Sequence, residues 1–181
     1  MKTSLKYLSL FIICILLAGC AIYIKPEKFD LDPQLLKSFK SNDPIQVLVP
    51  DNAETKYRIE YSGKFGLFVG GEFYVNLNDL HRNTKELINE VLANHDVPLS
   101  PNAKKYLKFT ITKAQWEKWA YGPMREAYLE FDIETGDAYK KHYRVQDRSW
   151  EDVGRAVGGT TSRAVETIFQ DEKIISYIES H

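Results

Sequence analysis

Three stretches in the second half of the chain alternate apolar and polar residues with a period of two, and they constrain the fold more than any other feature. Leu107, Phe109 and Ile111 alternate with Lys108, Thr110 and Thr112 between Tyr106 and Thr112. Ala127, Leu129, Phe131 and Ile133 alternate with Tyr128, Glu130, Asp132 and Glu134. Tyr139, Lys141, Tyr143 and Val145 share one face of a third stretch. Successive side chains of a strand point to opposite faces, so this period predicts strands with one dry and one wet side. Thr135-Gly136-Asp137 has the composition of a tight turn between the last two. The three predict an antiparallel meander.

Helical spacing surrounds this meander. From about Asn78 to His95, Leu80, Thr84, Leu87, Ile88, Val91 and Leu92 recur every three or four residues and form one apolar stripe. Asp96, Pro98 and Pro101 stop that helix. A second helix is expected from Ser149, read as its cap with Asp152 three residues on. It keeps its spacing through Val153, Ala156, Val157, Thr160, Ala164, Val165, Ile168 and Phe169. Gly154, Gly158 and Gly159 interrupt it at about 1 kcal/mol each relative to alanine, which predicts a kink or close packing against the sheet. Asp171 caps a short last helix whose Ile174, Ile175 and Ile178 anchor the C-terminus. Upstream, Asp32-Pro33-Gln34 reads as a helix start, with Leu35, Leu36 and Phe39 as its apolar face. Ile45–Val49 and Tyr57–Tyr61 read as strands, and Phe73, Val75 and Leu77 alternate. The expected fold is α+β: an antiparallel sheet with helices packed on one face, as a two-layer single domain over residues 32–181.

The first 19 residues are of a different kind. Lys2 and Lys6 precede an apolar run from Leu8 to Leu17, which is followed by the small residues Ala18 and Gly19. That is the pattern of a secretory leader, and its apolar run is too short to span a bilayer, which takes roughly 20 residues. Leu17-Ala18-Gly19-Cys20 resembles the bacterial lipobox at all four positions. The resemblance implies diacylglyceryl transfer to the Cys20 thiol, cleavage between Gly19 and Cys20, and acylation of the new amino terminus, palmitate being the chain type implied. Two or three acyl chains hold a protein at a membrane durably, where one does so only marginally. Residues 20–31 then read as a lipidated tether. Ala21 is not the Asp that resembles the inner-membrane retention signal, so the expected location is the periplasmic face of the outer membrane, if the source has two membranes.

Composition narrows the chemistry. The leader holds two of the 24 lysines and arginines and no acid, leaving 22 basic against 25 acidic groups and a formal charge of −3 behind it. Nucleic-acid binders carry a basic excess, and this chain has none. Cys14 lies in the leader and Cys20 is the lipid site, so the domain has no disulfide, no thiolate nucleophile and no cysteine-ligated metal. His81, His95, His142 and His181 share no metal-ligand spacing. Glu130, Asp132 and Glu134 fall on one strand face and read as solvated. Val157-Gly158-Gly159-Thr160-Thr161-Ser162 lacks the spaced first glycine and the lysine of a phosphate loop. No catalytic set, metal or cofactor is therefore expected.

Two aromatic stretches are the candidate partner-binding sites. Trp116, Trp119 and Tyr121 lie beyond a strand and beside Gly122-Pro123, and Phe65 and Phe68 lie in a glycine-rich setting. Such residues are enriched at protein interfaces and at the headgroup level of bilayers. The order of elements over roughly residues 80–178 resembles the small outer-membrane lipoproteins of the YajG type. It runs from Leu87–Leu92 through Leu107-x-Phe109-x-Ile111 and Ala127-x-Leu129-x-Phe131 to Arg163-Ala164 and Ile174–Ile178. The resemblance implies an envelope lipoprotein without a catalytic motif. The expected function is a non-enzymatic, periplasm-facing binding or scaffolding domain, attached to the membrane by Cys20 and engaging an envelope protein or lipid. The alternative is an accessory lipoprotein of an envelope transport or lipid-handling system.

Overall fold

The computed structural model describes residues 22–28, 31–32, 34, 36–50, 57–61, 73–118 and 125–180. Among these described residues, seven strands and three helices follow in the order β1 (Ile22–Ile24), β2 (Ile45–Leu48), β3 (Tyr57–Tyr61), β4 (Phe73–Val75), α1 (Leu77–Asn94), β5 (Lys105–Lys118), β6 (Arg125–Thr135), β7 (Lys140–Ser149), α2 (Val153–Ile168) and α3 (Glu172–Glu179). The class is α+β, as the patterns predict.

The meander forms as expected. Strand β5 pairs antiparallel with β6, and β6 with β7. Leu107, Phe109 and Ile111 are buried with Ala127, Leu129, Phe131 and Ile133. The register shifts between Ile111 and Lys113, which makes Thr112 an extra residue and reverses the parity of the strand. Beyond this bulge it is Ala114, opposite Leu129, that points into the core. The alternation in the sequence stops at Thr112 for this reason, although β5 itself runs on to Lys118. Trp116 is thus inside the strand, paired with Ala127, and not beyond it.

The turn between β6 and β7 includes Ala138 in the left-handed region, at φ 67°. The Thr135 amide donates to the Tyr139 carbonyl at 2.9 Å. The phenolic oxygen of Tyr177, on α3, accepts the amides of Gly136 at 3.1 Å and Tyr106 at 3.0 Å. A Cβ on Gly136 would lie 2.6 Å from that oxygen, so the turn needs glycine there.

The sheet as a whole is mixed and not antiparallel. Its order is β1-β4-β3-β5-β6-β7, and β2 also pairs with β5. Strand β2 runs parallel to β5 at Lys105–Lys108, and β3 runs parallel to it at Gln115–Trp116. Strand β1 is parallel to β4, which is antiparallel to β3. Parallel neighbours require crossover connections, and residue alternation carries no record of strand order. That is why the patterns missed them.

Helix α1 begins one residue earlier than its spacing predicts, behind Asn76, whose side chain accepts the Asn78 amide at 2.9 Å. Its whole predicted stripe is buried. Asp96, at φ 57°, ends it in the left-handed conformation common after helices. Helix α2 starts behind Asp152 and not Ser149. The Asp152 carboxylate accepts the Arg155 amide at 2.9 Å, while the Ser149 hydroxyl accepts that of Glu151. Asp171 caps α3 as predicted, through the Lys173 and Ile174 amides. The Asp32 carboxylate accepts the Gln34 amide at 2.9 Å, but residues 36–40 are not helical. Phe39 is buried instead by stacking on His95 at 4.1 Å and Phe169 at 5.3 Å.

The stretch read as a tether is largely docked. Ile22–Ile24 are strand, Ile24 and Pro26 are buried, and the Glu27 amide donates to the Gly154 carbonyl at 3.3 Å. This explains two glycines of α2. A Cβ on Gly154 would meet the Lys25 carbonyl oxygen at 2.7 Å, and one on Gly158 the Glu27 carbonyl oxygen at 2.0 Å. Only Gly159 faces the sheet, where a Cβ would meet the Asp147 carboxylate. The expected close packing is real, but its main partner is the N-terminal segment.

Alanine normally stabilises a helix relative to glycine by about 1 kcal/mol. Gly158→Ala should do the opposite, since main chain blocks its Cβ. Urea unfolding is expected to show a loss of about 1–3 kcal/mol. Gly159→Ala, blocked only by a side chain, should cost less, and an equal cost would refute this account.

Candidate functional site

Strand directions place several segments at one end of the sheet. Strand β3 runs parallel to β5, and β6 runs against it, so Tyr61, Lys118, Arg125 and Ser149 share that end. Strands β4 and β1 run the other way, which brings their first residues, Phe73 and Ile22, to the same end. Cys20 precedes Ile22 by two residues, at most about 7 Å of extended chain. Cys20 and Gly19 themselves lie outside the described residues. So do Phe65 and Phe68, in the 62–72 segment between Tyr61 and Phe73, and Trp119 and Tyr121, in the 119–124 segment between Lys118 and Arg125. The residues that flank both aromatic stretches, and Ile22 at the start of β1, therefore share one end of one sheet.

Two exposed aromatics at this end escaped the sequence reading. Trp150 follows β7 directly and is 65% exposed. Tyr23, in β1, is 61% exposed and stacks on Tyr74 at 5.7 Å. Extending the third alternating stretch past Val145 to Ser149 would have placed Trp150 at a strand end.

The titratable groups elsewhere serve the fold. His81 is buried on α1, and its Nε2 accepts the Ile111 amide at 3.1 Å. This fills the edge of β5 between the residues paired with β2 and those paired with β3. Accepting through Nε2 leaves the proton of a neutral ring on Nδ1, which is buried without a hydrogen-bond partner among the described residues. Burial lowers the pKa of His81 to about 4. Asp171 gathers Lys141 at 2.6 Å, Tyr143 at 2.6 Å and Tyr139 at 3.1 Å on one carboxylate oxygen, while the other caps α3. Burial alone would raise its pKa. The bonds from Lys141, Tyr143, the Lys173 amide and Tyr139 outweigh burial and hold it well below the usual carboxylate range. With both oxygens engaged, Asp171 ties β7 to α3 and has no lone pair directed at a substrate.

Glu130, Asp132 and Glu134 do lie on the solvated face. They meet the basic groups of neighbouring strands there: Arg144 with Glu130, Lys140 and His142 with Asp132, Lys108 with Glu134. The Val157–Ser162 run is the middle of α2. The hydroxyls of Thr160 and Thr161 donate to the carbonyls of Val157 and Gly158, each at 2.6 Å. Helical main chain of this kind offers no phosphate cradle. Among the described residues, no three His, Cys, Asp or Glu side chains are arranged to hold a metal ion. Nor is any described helix long and apolar enough to cross a membrane.

No family model matches the chain, and no curated protein matches it in sequence. Solved structures do match in shape. Protein XCC0632 from Xanthomonas campestris, of the family model DUF330, aligns at 10% identity over 87% of this chain and 95% of its own, with a TM-score of 0.51. It shares the fold. A PelC dodecamer from Paraburkholderia phytofirmans (12% identity, 81% of this chain and 95% of that one) and the rare lipoprotein B from Shewanella oneidensis (12%, 73% and 87%) align at TM-scores of 0.37 and 0.32.

The two buried acid–base groups predict separate pH windows. A histidine of unfolded pKa about 6.5 that is lowered in the fold is protonated first in the unfolded chain. Stability should therefore fall as pH drops from about 6.5 towards 4, by up to about 1.4 kcal/mol per pH unit from His81. Urea unfolding of His81→Gln should show a flatter profile over that range, and an unchanged slope would exclude His81 as its source. The depressed carboxyl of Asp171 stabilises the fold above the ordinary aspartate pKa of about 4, and this is lost below it. Asp171→Asn should thus lower stability at pH 7 by about 2 kcal/mol and flatten the acid limb alone.

Proposed function

We propose that this chain is a non-enzymatic lipoprotein of the bacterial cell envelope, held by acylated Cys20, whose domain binds or scaffolds an envelope protein or lipid. The observation that carries the reading is the join between leader and fold. Leu17-Ala18-Gly19-Cys20 ends two residues before β1, so the cleavage and lipidation signal abuts the first residue of the sheet. An acyl anchor there would hold the domain by its edge strand. Ala21, in place of Asp, supports the periplasmic face of the outer membrane in a two-membrane source. The YajG-type resemblance supports the same location by pattern alone.

The binding role rests on Trp116, Trp150 and the residues that flank the 62–72 and 119–124 segments, which share the end that leads to Cys20. An envelope partner would meet the domain close to the membrane.

Fractionation tests the anchor. The wild-type protein should sediment with membranes after a carbonate wash, and its N-terminal peptide should carry the mass of two or three acyl chains. Cys20→Ser should be folded and recovered in the soluble fraction. A variant that stays in the washed membranes would overturn the assignment. Native mass spectrometry of the soluble form separates the two kinds of partner, since a co-purifying lipid favours lipid handling over scaffolding.

A further inference from the structure

We propose that the sheet end bearing Tyr23 and Trp150 sits in the headgroup layer of the same bilayer that holds the acyl chains, so that the domain is oriented on the membrane and not merely tethered to it. This rests on the lipid-anchor reading of Cys20.

Reach is the first argument. Two residues span at most about 7 Å, and the polar layer of one bilayer leaflet is itself roughly 5–7 Å thick. A fold that starts at Ile22 cannot stand clear of that layer when Cys20 is held at its inner edge. There is no slack further along either. Ile22–Ile24 are hydrogen-bonded into the sheet beside β4, and the Glu27 amide is bonded to Gly154.

The second argument is what lies at this end. Three large apolar side chains are well exposed among the described residues: Tyr23, Trp150 and Leu99. The two aromatic ones are next to the anchor. Tyr23 lies two residues before Lys25, whose carbonyl borders Gly154, and Trp150 lies four residues before Gly154. Tyrosine and tryptophan are enriched where apolar and polar zones of a bilayer meet, because each has an apolar ring and a polar handle. Leu99, by contrast, bridges to Ile45 at the opposite end of the sheet.

Beside Gly154, Glu27 and Glu151 are paired with Arg155, and Asp152 caps α2. The exposed aromatics are the contacts of this proposal.

Nitroxide labels read the depth directly. Cys14 leaves with the leader and the Cys20 sulfur is held in a thioether to the diacylglyceryl group, so Trp150→Cys, Tyr23→Cys and Leu99→Cys each offer one reactive thiol in the full lipidated protein. In vesicles of phosphatidylethanolamine with or without phosphatidylglycerol, labels at 150 and 23 should lose collisions with a water-soluble nickel chelate and gain them with oxygen, relative to label 99. Labels at 150 and 23 that match label 99, on protein that floats with the vesicles and carries acyl mass, would overturn the inference and leave the anchor standing. Protein that lacks acyl mass and does not float would overturn both.

Discussion

The pairing of β5 on both edges is the constraint from which the rest of the structure follows. One edge of this 14-residue strand is matched along its length by β6, with one bulge at Thr112. The other edge is shared: β2 takes the first four residues, β3 takes Gln115 and Trp116, and His81 accepts the amide of Ile111 between them. Backbone donors left bare in a buried setting cost about 1–3 kcal/mol each, so the gap needs such a plug. The plug places α1, because the residue that supplies it is one turn from Leu77 and Thr84 on the buried side of the helix. The bulge in turn re-aims the end of β5 where the strand ends gather.

Helix α2 carries the second constraint. Two of its glycines give up helix propensity so that residues 25–28 can lie against it main chain to main chain. The N-terminal segment is thereby locked between the helix layer and the sheet edge, and what would otherwise be a loose leash becomes part of the domain. Polar bonds complete the frame at the far end. Tyr177 holds the β6–β7 turn, and the Lys105 ammonium reaches the carbonyls of Ile178 and Ser180 at the end of α3, where a cation complements the helix dipole.

Much of this is legible in the residues, and the rest is not for definable reasons. A half-buried strand or helix writes its own period into the chain, so β6, β7, the first half of β5 and the stripe of α1 could be read directly. A bulge breaks that period, so alternation marks β5 only as far as Thr112. Parallel partners leave no local trace, because β2 and β3 lie 60 and 55 residues before their partners in β5. His81 looked like any polar residue beside a helical stripe, since its partner is a main-chain amide on another element. The glycines of α2 did signal close approach, but not what approached. The two aromatic stretches looked separate until strand direction brought their flanks together.

The docked N-terminal segment has a consequence for how the molecule comes to be made. The first residues of the domain to be synthesised find their partners late, because Ile22 pairs with Phe73 and Glu27 bonds to Gly154, 127 positions downstream. Contacts so distant along the chain form slowly, since a long loop must close before any gain is realised. Until α2 forms, the segment from Lys25 to Glu27 has no helix to lie against. The start of the domain is therefore among the last parts of the fold to close.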